Sequence, residues 1–180
     1  MKLEGMKVVT LVAEGFEDLE FWVPIMRLRE EGVRVTIAGP KAGEVYIGKN
    51  GLEAESDSSF EQIDPNWYDA ICVPGGWAPD KLRRYDSIKR IVRTMYDQEK
   101  TVAMICHAGL VGISAGIVRG HQATGSDGIK DDLINAGATW RNESAFRSGC
   151  IVWGRVVADI PNFNRELITA LTEQKEKFIK

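Results

Sequence analysis

The stretch Thr101-Val102-Ala103-Met104-Ile105-Cys106-His107-Ala108-Gly109-Leu110-Val111-Gly112 joins two kinds of pattern. Its first five residues are a continuous apolar run suited to a strand buried on both faces, and the residues after Cys106 are small and compatible with a helix. A strand that runs directly into a helix is half of a βα unit, and repetition of that unit defines a fold class. The same junction sets a thiol at a helix start, where unpaired N–H groups and the positive end of the peptide dipoles favour the thiolate. Cys106 is a candidate nucleophile, and a buried cysteine packed as a small hydrophobe fits the junction equally well.

Outward from this stretch the alternation continues. Lys7 to Ala13 reads as a strand, Glu17 to Glu31 as a helix stopped by Gly32, and Val33 to Ala38 as a second strand. Val45-Tyr46-Ile47 and Leu52-Glu53-Ala54 flank Lys49-Asn50-Gly51, whose Asn-Gly pair signals a small β-hairpin. Tyr68 to Val73 is a strand ended by Pro74-Gly75-Gly76, and Asp86 is placed to cap a helix reaching about Gln98. Ile129 to Ala136 reads as a short helix, Ile151 to Val157 as a strand and Asn162 to Phe178 as a closing helix. The pattern predicts one α/β domain over residues 1–180, with a mostly parallel sheet covered by helices on both faces.

Composition narrows the function. A net charge of −3 without a clustered basic surface argues against nucleic-acid binding. No apolar run approaches the ~20 residues of a membrane span, and Val8 to Ala13 is too short for a signal h-region, so a cytoplasmic protein is expected. The three cysteines Cys72, Cys106 and Cys150 lie far apart, without a C-x-x-C pair, and predict neither a metal site nor a disulfide framework. Cys72 and Cys150 read as packed strand residues. Of the two histidines, His121 lies in a polar stretch and reads as a surface residue, whereas His107 adjoins the thiol.

Ligands of open α/β sheets bind beyond the carboxyl ends of the strands, which directs attention to Glu14 to Glu20, Pro74 to Asp80 and Cys106 to Gly109. The first of these turns carries four carboxylates in Glu14-Gly15-Phe16-Glu17-Asp18-Leu19-Glu20 and would repel a phosphate, and no glycine-rich nucleotide motif occurs, so no cofactor is expected. Gly75 and Gly76 expose backbone N–H groups suited to half of an oxyanion hole, and His107 N–H at the next junction suits the other half; a tight turn alone also explains the two glycines. Glu17 and Asp18 suit a helix N-terminus without catalysis. Glu20, facing a thiolate, would be driven toward its protonated form and donate a hydrogen bond to sulfur.

Gly15-Phe16-Glu17-Asp18-Leu19-Glu20, Val73-Pro74-Gly75-Gly76, Ala103-Met104-Ile105-Cys106-His107 and Gly128-Ile129-Lys130-Asp131-Asp132-Leu133-Ile134-Asn135-Ala136-Gly137 together resemble the PfpI/ThiJ superfamily. The resemblance implies a flavodoxin-like three-layer sandwich of the class I glutamine-amidotransferase-like type. It also implies a homodimer or homohexamer, with Cys106 as reactive thiol and Glu20 as its carboxyl partner. In the PfpI branch the histidine after the cysteine is the base, oriented by an acid from a neighbouring subunit, and the matching residues here are His107 and Asp80. Four positions depart from the pattern: Asp80 replaces a longer glutamate, Ala108-Gly109 replaces Gly-Pro, Ser126 stands where relatives carry tyrosine or histidine, and Trp77 adds a large ring beside the oxyanion turn.

Three functions compete on these residues. The first is a cysteine-dependent deglycase or glyoxalase, with a small carbonyl compound or a glycated protein as its partner and Cys106 adding to the aldehyde. The second is a peptidase or amidase with a Cys106–His107–Asp80 triad completed across subunits. The third is a redox-sensing stress protein or holdase in which Cys106 is oxidised beside Glu20.

Overall fold

In the computed structural model, which describes residues 1–179, β1 (Lys7–Leu11) leads to α1 (Asp18–Glu30), and β2 (Arg34–Gly39) lies parallel to β1 from Lys7↔Arg34 to Leu11↔Ala38. The antiparallel pair β3 (Val45–Ile47) and β4 (Glu53–Glu55) follows, then the short edge strand β5 (Ser58–Ser59). β6 (Ala70–Val73), α2 (Ala78–Leu82), α3 (Asp86–Asp97), β7 (Thr101–Ile105) and α4 (Gly109–Ser114) continue the alternation. β8 (Gln122–Ala123) and β9 (Thr139–Trp140) form a separate two-stranded parallel sheet around α5 (Lys130–Asn135). β10 (Ala145–Ser148), β11 (Ile151–Gly154) and α6 (Ile160–Ile179) complete the order.

The main sheet runs β10-β11-β7-β6-β1-β2-β5, and only β10 is antiparallel. Because side chains alternate along a strand, Val9, Ile71, Val102 and Met104 face one way to meet Ile88, Ile91, Val92 and Met95 of α3. Val8, Cys72, Ala103 and Val152 face the other way, toward Phe163, Leu167 and Leu171 of α6. This is the mostly parallel three-layer sandwich that the alternation predicts. None of its helices is long and apolar enough to cross a membrane among the described residues.

Local differences have identifiable causes. Tyr85, not Asp86, precedes the first turn of α3 and makes no side-chain cap; Asp86 instead pairs with Lys89 at 2.6 Å. The hairpin closes through the five residues between Ile47 and Glu53 rather than through a two-residue Asn-Gly turn, because Asp18 accepts hydrogen bonds from the N–H groups of Asn50 (2.8 Å) and Leu52 (2.7 Å). Cys150 lies in the turn between β10 and β11, half-buried, and not within a strand. His121 is also half-buried: Nε2 lies 2.8 Å from the Tyr96 hydroxyl and Nδ1 lies 3.0 Å from Ser148 Oγ, so its ring links α3 to β10 rather than lying on the surface. Cys72 is the packed strand residue expected, and burial pushes its thiol up to about 12.

Candidate active site

Ile105 ends β7 in an extended conformation, and the chain turns sharply at Cys106, whose φ is +62°. A non-glycine residue in that region stores on the order of 1–3 kcal/mol of strain. The strain takes the thiol out of line with the strand and into a cavity of about 620 Å³. A single 3₁₀ turn, Cys106–Ala108, separates the strand from α4, and the Ser126 N–H holds the Cys106 carbonyl at 3.2 Å.

Glu20 lies in the first turn of α1 and is only 2 % exposed. Its Oε2 accepts the Gly75 N–H at 2.9 Å, Oε1 has no hydrogen-bond partner, and the carboxyl and the Cys106 thiol both crowd the space beside the Gly75 α-carbon. Burial first, and the Glu17 carboxylate second, raise the Glu20 pKa to about 7. The thiol is pushed up to about 12, by burial first and then by the Glu20 charge. Burial thus opposes the pull of the helix start toward the thiolate, and α4 is only six residues long. Each charge raises the cost of the other, and a proton on the Glu20 carboxyl removes the repulsion that disfavours the thiolate.

The Gly75 N–H is committed to Glu20, so Gly75 does not supply an oxyanion donor. Its importance is space: a Cβ there would stand 2.3 Å from Glu20 Oε2 and 2.7 Å from Cys106 Cβ. Gly76, at φ +75°, and His107 line the cavity beside Cys106, and their backbone N–H groups oppose the rise of the thiol pKa. His107 Nδ1 is 3.3 Å from Sγ, an approach that a regular helix would deny to adjacent residues and that the strained turn allows. Burial and then the charge of Lys49 lower the His107 pKa, which favours a neutral imidazole able to take a proton.

The remaining expected residues divide. Glu17 caps α1, its Oε2 accepting from Leu19 N (2.9 Å) and Glu20 N (2.8 Å) and its Oε1 from Asn50 Nδ2 (3.2 Å), while one edge lines the cavity. Trp77, 61 % exposed, forms a wall, and Ser126 lines the cavity while its Oγ accepts the Gly128 N–H at 3.4 Å. Asp80 reaches the cavity rim but turns its carboxylate to Arg84, and among the described residues it has no hydrogen bond to His107. Lys49, Val156 and Val157 also line the cavity and escape sequence reading. Lys49 lies in a stretch that reads only as a hairpin turn, and no local signal says that the hairpin folds back over the β1–α1 junction.

The family model described as the DJ-1/PfpI family matches residues 6–170. The deglycase PYRAB04690 of Pyrococcus abyssi is 40% identical over 166 residues, 92% of this chain and 99% of that protein. Deglycase PfpI of Pyrococcus furiosus is 39% identical over the same shares of both chains. A crystal structure of a two-domain protein from Anabaena variabilis, with DJ-1/ThiJ/PfpI-like and ferritin-like domains, superimposes with a TM-score of 0.90 at 35% identity, covering 92% of this chain and 48% of that one. Match and geometry agree over the whole of the sheet and its junctions, and the chain belongs to the DJ-1/PfpI family.

Proposed function

We propose that the protein is a cysteine-dependent enzyme acting on small reactive carbonyls or their adducts with proteins. The carrying observation is Cys106 held at φ +62° beside the buried Glu20 carboxyl, with His107 Nδ1 3.3 Å from its sulfur. The deglycase names of relatives near 40% identity support the reading. The Cys106 thiolate adds to the aldehyde carbon of a 2-oxoaldehyde, and the Glu20 proton or a backbone N–H meets the developing oxyanion. His107 then moves a proton from the former aldehyde carbon to its neighbour. The aldehyde carbon is oxidised as the ketone carbon is reduced, and no external redox partner is required. Water cleaves the resulting thioester to a 2-hydroxy acid and frees Cys106. A reactive thiol of this kind needs a reducing compartment, so we place the protein in the cytoplasm.

Lactate release from methylglyoxal by native protein beside Cys106→Ser tests this. Turnover lost with the sulfur supports the reading, and full turnover without it overturns it. The 3.3 Å Sγ to Nδ1 approach also suits acyl-cysteine chemistry with His107 as base. Since Asp80 faces Arg84 in its own chain, that reading needs Asp80 from a second copy, in a homodimer or homohexamer. Peptide cleavage without lactate formation would favour it.

A further inference from the structure

The charges around the Cys106 cavity are not equally committed. Glu17 accepts three N–H groups, Asp80 is paired with Arg84, and Lys81 Nζ donates to the Glu14 carbonyl at 2.8 Å. Lys49 differs: Lys41 and Lys89 have carboxylate partners, whereas Lys49 enters no ion pair among the described residues. Its Nζ stands 5.9 Å from the Trp77 ring centroid, and its charge lowers the pKa of both Glu20 and His107, which places it within electrostatic reach of the reacting groups.

The backbone that presents Lys49 is held on several sides. Lys49 N–H donates to Phe16 O at 2.8 Å, Gly48 N–H to Leu52 O at 2.7 Å, and Asp18 holds the N–H groups of Asn50 and Leu52. A Cβ on Gly48 would lie 2.6 Å from Asp18 Oδ1, so the loop is seated directly on the start of α1. The side chain is therefore a cation delivered by a fixed loop to the mouth of a cavity that contains a nucleophile, with the face of an indole beside it.

We propose that Lys49, flanked by Trp77, is a carboxylate-binding subsite of the Cys106 cavity, so that the preferred substrates are carbonyl compounds or adducts carrying a carboxylate a few bonds from the reacting carbon. The inference deepens the carbonyl reading and names the class of substrate within it. Lys49 is a specificity residue: it meets the distant charge of the substrate, while Cys106, Glu20 and His107 meet the reacting atoms.

Two alkylating reagents that differ only in charge test the subsite without turnover. Cys106 Sγ of the full-length protein displaces iodide from iodoacetate or from iodoacetamide, forming an S–C bond at the same carbon, and mass spectrometry follows each rate at Cys106. The ratio of the two rates cancels any change in thiolate fraction. In native protein the ratio for iodoacetate over iodoacetamide should exceed that of the free thiol N-acetylcysteinamide. Lys49→Gln should lower it about two- to fivefold, the size of an exposed charge pair, and Lys49→Arg should restore it. An equal ratio in native protein and Lys49→Gln overturns the proposal. Methylglyoxal hemithioacetals of N-acetylcysteine and N-acetylcysteinamide then separate the two levels. Faster consumption of the charged adduct supports the subsite, and equal consumption of both counts against it alone. If neither is consumed, the carbonyl reading fails and the alkylation ratio still decides the subsite.

Discussion

At Glu20 and Gly75 single atoms set the geometry around the Cys106 thiol. The Glu20 pKa is raised from 4.5 to about 7, so the folded protein binds its proton more tightly than the unfolded chain does. The resulting stability is fully present below about pH 4.5 and is lost as the pH rises through about 7, a change on the order of 3 kcal/mol. Urea unfolding at pH 5 and pH 8 should show this slope in native protein and little of it in Glu20→Gln; equal slopes would assign the effect elsewhere. The raised thiols of Cys72 and Cys106 contribute only above pH 9, outside that window, whereas His107, its pKa lowered from 6.5, adds an opposite slope within it in both proteins. Gly75→Ala forces a Cβ to 2.3 Å from Glu20 Oε2, and shifting the carboxyl and the thiol apart should cost at least about 10²-fold in turnover, read from lactate release. Thermal unfolding of the same variant distinguishes a displaced site from an overpacked one: a stability loss beyond ~3 kcal/mol would mean that more than the site has moved.

Among the elements, the join between the β3–β4 hairpin and α1 carries the most consequence. Asp18 is acidic at a helix start, which alone reads as a favourable partner for the helix dipole. In the fold its two oxygens hold the loop of a hairpin more than 30 residues away in sequence, at Asn50 and Leu52. Asp18→Ala leaves those N–H groups without their acceptor and should destabilise the protein by about 1–3 kcal/mol. Faster hydrogen exchange at the Asn50 and Leu52 amides, with α1 amides unchanged, is the expected signature; uniform acceleration would point to global unfolding instead. The hairpin itself is legible in the sequence, since alternating residues flank Asn50-Gly51, but its seat is not. Similarly β7 is legible from five consecutive apolar residues, while the 3₁₀ turn and positive φ at Cys106 come from the packing around the junction.

For the whole molecule, the acyl-cysteine reading requires each site to be completed by a second copy. Asp80 faces Arg84 in its own chain, and a neighbour's Asp80 is the residue proposed to orient His107. On the peptidase reading, Asp80→Asn and Cys106→Ala proteins, each inactive in peptide cleavage, should recover it when mixed and reassembled, to about a quarter of native for randomly mixed dimers with composite sites. No recovery, or full activity of Asp80→Asn alone, would confine the machinery to one chain. The sequence by itself determined the alternation of strands and helices, the parallel sheet, the family, and which three junctions meet at the carboxyl ends of the strands. These follow from the periodic burial of neighbouring residues and from motifs in a set order. The allotment of donors and protons was decided only by tertiary structure. Gly75 N–H goes to a carboxyl 55 residues away, His107 Nδ1 comes to the Cys106 sulfur, and Lys49 reaches the cavity by way of Asp18. Hydrogen bonds and proton affinities depend on which groups are brought close and kept from water, and here those groups lie far apart along the chain.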